Sequence, residues 1–147
     1  MRIKPVIVML ALGVSGSFAA AESLQEKQDH AKEEKSLVAP VKEMNTVCKS
    51  KVEVKIDWST WKEAHDNAGH YAHSACNDGI DPIKTMCRDA LAQEAVAKQL
   101  KTIVCLGNAT ERTASYKDGT LTIHTGLAVD KGDIRGATRK ALGDGLK

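Results

Sequence analysis

Hydrophobic and polar residues alternate without interruption from Lys51 to Trp58, with Val52, Val54, Ile56 and Trp58 in one phase and Lys51, Glu53, Lys55 and Asp57 in the other. A period of two over eight residues predicts a strand with one buried and one solvated face. The residues that follow change period. Thr60 and Glu63 have the spacing of a capping box, which predicts a helix from Thr60 to about Asn67 with Trp61, Ala64 and Ala68 turned inward. Asn77, Asp78 and Gly79 then read as a turn. Asp81 followed by Pro82 reads as an N-cap with proline in the first helical position, opening a helix through Ile83, Met86, Cys87, Ala90 and Leu91. The apolar stripe shifts at Val96 and Leu100, so a helix, or a helix pair broken at Asp89 or Gln93, is expected to reach Gln99.

The short apolar run Ile103 to Leu106, closed by Gly107 and Asn108, predicts a central strand. Residues Arg112 to Tyr116 and Leu121 to Thr125 flank Lys117, Asp118, Gly119 and Thr120, and the Asp-Gly step predicts a hairpin. Asp130 or Asp133 starts a last helix with Ile134, Ala137, Ala141 and Leu142 inside and Gly143 as its stop. The resulting order of elements predicts an α+β domain over residues 47 to 147. Its sheet is expected to be small and antiparallel, of about four strands with three in a meander, packed with two to three helices and held by two disulfides.

The N-terminus differs in kind. Arg2 and Lys4 precede an apolar run from Val6 to Leu12 and small residues ending in Ala19, Ala20 and Ala21, the pattern of a secretory signal peptide over residues 1 to 21. The run is too short to span a bilayer, and none of comparable apolarity follows. From Glu22 to Ser36 charged and amide side chains are nearly continuous, so residues 22 to 46 are expected to be a charged, flexible segment leading into the fold. The formal charge of +2 over 147 residues comes from the two cations of the leader. The mature chain is balanced, which argues against nucleic acid as a partner. Aromatic residues are 3% of the chain, too few for a sugar- or base-stacking surface.

An exported chain with four cysteines and no C-x-x-C pair points to disulfides rather than a zinc or redox motif. Position favours Cys48 with Cys105, between neighbouring strands, and Cys76 with Cys87, as a local staple. His65, His70 and His73 are the densest group of potential metal ligands and define an alternative reading as a periplasmic zinc- or copper-binding protein. Turn and cap roles account for Asn77, Asp78 and Asp81 without calcium. A small hydrolase is the third reading, but Ser74 and Ser115 lack a G-x-S-x-G elbow, and Glu63, Asp66 and Asp133 form no distinctive acid pair. Asn108 opens a glycosylation-type triplet that also suits a turn. Trp58 continues the buried phase of its strand and is expected in the core with Trp61.

By elimination the sequence favours a periplasmic or secreted, non-enzymatic interaction domain without a cofactor. Its partner would be an envelope protein or other macromolecule, as for an inhibitor, an immunity protein or an accessory factor. Arg112, Tyr116, Lys117, Asp118 and His124, on the hairpin and its outer face, are the candidate contact residues.

Overall fold

A computed structural model describes residues 23–61, 72–107, 110–125 and 132–147. Four helices and a four-stranded mixed sheet form an α+β unit: α1 (Leu24–Cys48), β1 (Glu53–Asp57), α2 (Ala72–Met86), α3 (Ala90–Gln99), β2 (Thr102–Leu106), β3 (Thr113–Lys117), β4 (Thr120–His124) and α4 (Ile134–Gly145). Strand order is β1-β2-β4-β3; β1 and β4 run parallel to β2, and only β3 is antiparallel to its neighbour.

The expected antiparallel meander is therefore corrected. The hairpin forms as predicted, with Asp118 and Gly119 both at positive φ (49° and 83°), but β4 rather than β3 enters beside β2. Apolarity explains the choice. Leu121 and Ile123 of β4 are fully buried, whereas β3 offers only the half-buried Ala114 and Tyr116 and takes the edge. The rows Val54–Ile103–Leu121–Tyr116 and Ile56–Cys105–Ile123–Ala114 face the helices. The opposite face carries Glu53, Lys55 and Asp57 on β1 and mainly threonine and serine across the other strands.

The expected turn at Asn77 to Gly79 is absent, because α2 runs unbroken through Gly79, Asp81 and Pro82. Cys76, Ile80, Ile83 and Cys87 recur at helical spacing and are all buried. Gly79 serves close packing: a Cβ there would lie 2.6 Å from Cδ1 of Ile123 on β4. Asp89 is the N-cap that separates α2 from α3, accepting from the amides of Leu91 and Ala92. At the C-terminus Asp133 caps α4 as expected, and the helix passes Gly143 to end at Gly145.

The flexible lead-in is also corrected, since residues 24–48 form a 25-residue helix opened by a capping box of Ser23 and Glu26. Its C-terminal half docks through Leu37, Val41, Met44 and Cys48, spaced along one helical face. Its charged half is held by polar contacts. Glu34 accepts from Trp58 Nε1 at 2.8 Å, and the His30 ring stacks on Trp58 with centroids 3.9 Å apart. Trp58 thus leaves the strand phase to open a single 3-10 turn, Trp58–Thr60, and only Trp61 is deeply buried. Thr60 caps no helix in the described residues; its hydroxyl donates to the Asp57 carbonyl and accepts from the Gly107 amide. The rest of the helix predicted to Asn67 lies outside the described residues.

One disulfide is formed, and it joins Cys48 to Cys87 with their Cα atoms 5.1 Å apart. Cys48 ends α1 instead of leading into a strand, which places it beside the end of α2. Cys76 and Cys87 are eleven residues apart along a continuous helix, about 16 Å at 1.5 Å per residue, beyond the reach of a bridge. Closing a loop of sequence separation 39 stabilises the fold by about 4 kcal/mol in the chain-entropy account.

Candidate functional site

The described residues among those singled out from sequence do not converge. Tyr116 lies on the helix-covered face, where its hydroxyl donates to the Gln99 carbonyl and α4 packs over it at Gly145. The hairpin tip is fastened to the start of β2, because the amides of Lys101 and Thr102 both donate to the Gly119 carbonyl (2.8 and 3.1 Å). Lys117 and Asp118 are exposed at that tip, and His124 lies at the far end of the same hairpin, on the opposite sheet face from Tyr116. Arg112 buries its Nε, and its backbone lies tight against Gly132. Five residues named for one surface thus occupy several.

The histidine reading retains one described member. His73, in the first turn of α2, is bound to α1: Glu33 Oε2 lies 2.8 Å from its Nδ1 and accepts from its backbone amide at 2.9 Å. His65 and His70 lie outside the described residues, as do Glu63, Asp66 and Asn108. Among the described residues no three His, Cys, Asp or Glu side chains form a metal-holding group. Asp81 is engaged by cations of the protein itself, Lys84 at 2.9 Å and Arg135 at 3.5 Å. The Lys84 hydrogen bond, aided by the nearby charges of Lys84 and Arg135, holds its carboxyl below the usual range against the opposing effect of burial. Asp133 is spent on capping α4.

A groove that sequence reasoning missed runs between α1 and the outer edge of β1, which has no strand neighbour among the described residues. It encloses about 830 Å³, within the range of binding clefts, and is lined by Glu34, Leu37, Val38, Val41 and Lys42 from α1 and by Val54, Lys55 and Ile56 from β1. Val38, one of the few large apolar side chains left exposed among the described residues, is 63% accessible.

The backbone of β1 explains why this edge is open. The Glu53 amide donates to Lys101, so residues 53, 55 and 57 turn their peptide groups toward β2 while Val52, Val54 and Ile56 turn theirs outward. Asn45 on α1 satisfies the first of these: its Nδ2 donates to the Val52 carbonyl (2.9 Å) and its Oδ1 accepts from the Val52 amide (2.8 Å). A side-chain amide here imitates one rung of a strand. At Val54 and Ile56 the outer edge pairs with no strand among the described residues. The opposite edge of the sheet, β3, is packed against α4.

The arrangement offers strand-type hydrogen bonding beside an apolar wall. Among the described residues nothing at the groove supplies a nucleophile with its base, or paired acids. No family model, curated protein or solved structure matches the chain. No helix in the described residues is long and apolar enough to cross a membrane.

Proposed function

We propose that the protein is an exported, non-enzymatic interaction domain that binds an extended segment of a partner polypeptide along β1. The observation that carries this reading is the outer backbone of Val54 and Ile56, unpaired among the described residues, beside the groove walled by Leu37, Val38 and Val41. A fifth strand there would gain main-chain hydrogen bonds from the edge and apolar contact from α1. An exposed edge of this kind invites pairing unless the protein protects it.

Charge defines the partner. Glu53, Lys55 and Asp57 are exposed on the outer sheet face. A matched antiparallel strand therefore carries Lys, Glu and Lys opposite them, with aliphatic residues between, opposite Val54 and Ile56 and turned toward α1. The leader-like residues 1 to 21 and the Cys48–Cys87 bridge support a periplasmic or secreted location.

The test uses a capped peptide Lys-Val-Glu-Val-Lys and its charge-swapped counterpart Glu-Val-Lys-Val-Glu, titrated into the isotopically labelled protein. The first should shift the amide resonances of Val54 and Ile56 and bind about tenfold tighter than the second, a difference of ~1.4 kcal/mol. Val38→Asp, at an exposed position, should weaken it while leaving the fold intact. Equal affinity for both peptides, or shifts confined to other strands, refutes the site. Processing is checked separately: the secreted form should begin at Glu22.

A further inference from the structure

The core contains a pair of thiols that the groove does not use. Cys76 lies on the inner face of α2, one turn before Gly79 and Ile80, and Cys105 lies in β2 between Ile56 and Ile123 in the inward-facing row. Both side chains are fully buried. Gly79, one turn further along α2, lies tight against Ile123, the register neighbour of Cys105, so Cys76 and Cys105 are neighbours in the core between helix and sheet. Two buried cysteines that face each other from different layers have the placement a bridge requires.

We propose that Cys76 and Cys105 form a second disulfide, which ties α2 to the central strand and interleaves in sequence with Cys48–Cys87. The oxidant is an external disulfide, either a small-molecule one such as glutathione disulfide or that of a thiol oxidoreductase. One deprotonated cysteine attacks it, the external S–S bond breaks and a thiolate leaves. The second cysteine, deprotonated in turn, attacks the resulting mixed disulfide, forms the internal bond and releases the other thiolate. The two protons lost from the cysteines end on the two released thiolates. The protein loses two electrons, and the external disulfide gains them.

Timing follows from burial. Removal from water pushes the Cys76 thiol well above its ordinary value, and the neighbouring Cys105 and Glu33 push the same way. Attack is slow once the core has closed, so the bond belongs to oxidative folding, when α2 and β2 first meet. The step depends neither on the groove nor on its partner.

The experiment expresses the full-length sequence, reduces and unfolds the purified protein, and refolds it in a glutathione and glutathione-disulfide mixture. It is then unfolded again under non-reducing conditions with an alkylating agent. The expected product takes up no alkyl group, is about 4 Da lighter than the reduced chain, and yields a proteolytic fragment joining the peptides of Cys76 and Cys105. Cys76→Ser should leave Cys105 alkylated in the unfolded protein and the Cys48–Cys87 fragment unchanged. Alkylation of both Cys76 and Cys105 in the wild type overturns the proposal. So does glutathione retained on either, or a fragment linking Cys48 to Cys105 or Cys76 to Cys87. Because the oxidant is supplied in vitro, the result stands apart from whether the protein is exported.

Discussion

Replacing Gly79 by alanine tests the closest contact between the helical layer and the sheet. The new Cβ would lie 2.6 Å from Cδ1 of Ile123, 3.0 Å from Cγ2 and 3.1 Å from Cγ1. Cδ1 is the end of the side chain and could turn aside, but Ile123 is fully buried, and two further carbons remain tight. Overpacking of this order costs about 1–3 kcal/mol. Alanine at a helical position recovers about 0.8–1.0 kcal/mol of propensity, so Gly79→Ala should lose ~1 kcal/mol net. Ile123→Val removes Cδ1 and by itself costs about 1 kcal/mol. If the contact is the cause, the double variant should lose ~1 kcal/mol rather than the additive ~2, a favourable coupling of about 1 kcal/mol. Urea unfolding of the four proteins measures this, and thermal midpoints should follow at about 4 °C per kcal/mol. Strict additivity, or a stabilised Gly79→Ala, would refute the packing argument.

Asn45→Ala removes both bonds to Val52 and the acceptor for the Ser50 hydroxyl; it should cost about 1–3 kcal/mol in denaturant unfolding, with Asn45→Asp, which keeps only the acceptor, falling between. Asp81 sets an acid limb. Its folded pKa is lowered, chiefly by the hydrogen bond to Lys84, so its contribution is present above the ordinary carboxylate value of 3.8 and is lost as pH falls through the folded value. Because the carboxylate is 35% exposed, Asp81→Asn should cost no more than about 0.5 kcal/mol at neutral pH and should flatten stability measured below about pH 4. Lys84 behaves oppositely: bonded by Asp81 and Glu43, its pKa is raised, and its contribution persists below 10.5 and is lost as pH rises through the folded value. Lys84→Met should therefore reduce both limbs in a pH series of thermal melts.

Local signals proved legible where short-range chemistry decides the outcome. The alternation of Lys51 to Asp57 and the Asp118-Gly119 turn act within a few residues, and each element formed where its signal stood; the helix break fell at Asp89 and the last helix start at Asp133, each one of two positions the sequence offered. Reading failed where a residue had two uses. Gly79 and Pro82 usually punctuate a chain, but here the glycine admits a strand and the stripe from Cys76 to Cys87 carries the helix past both. The charged half of α1 offers almost no apolar area. What fixes it are Glu33 on His73 and Glu34 on Trp58, partners 40 and 24 residues away. The groove was invisible for the same reason, since it exists only once α1 lies along β1, and a helix that reads as solvated tail predicts no wall. Strand order likewise depended on a comparison between β3 and β4 that no window within either contains.

The amide of Asn45 also sets a limit on where anything can land. By occupying the outward positions of Val52 it acts as a doorstop at one end of the edge, leaving Val54 and Ile56 as the only vacant rungs of β1 among the described residues. A visiting chain that slid by two residues toward Val52 would have to evict a hydrogen-bonded side chain before gaining anything. In the other direction the strand gives way to the Trp58 turn. Alignment along this edge is thus dictated by the host, whatever the identity of the guest.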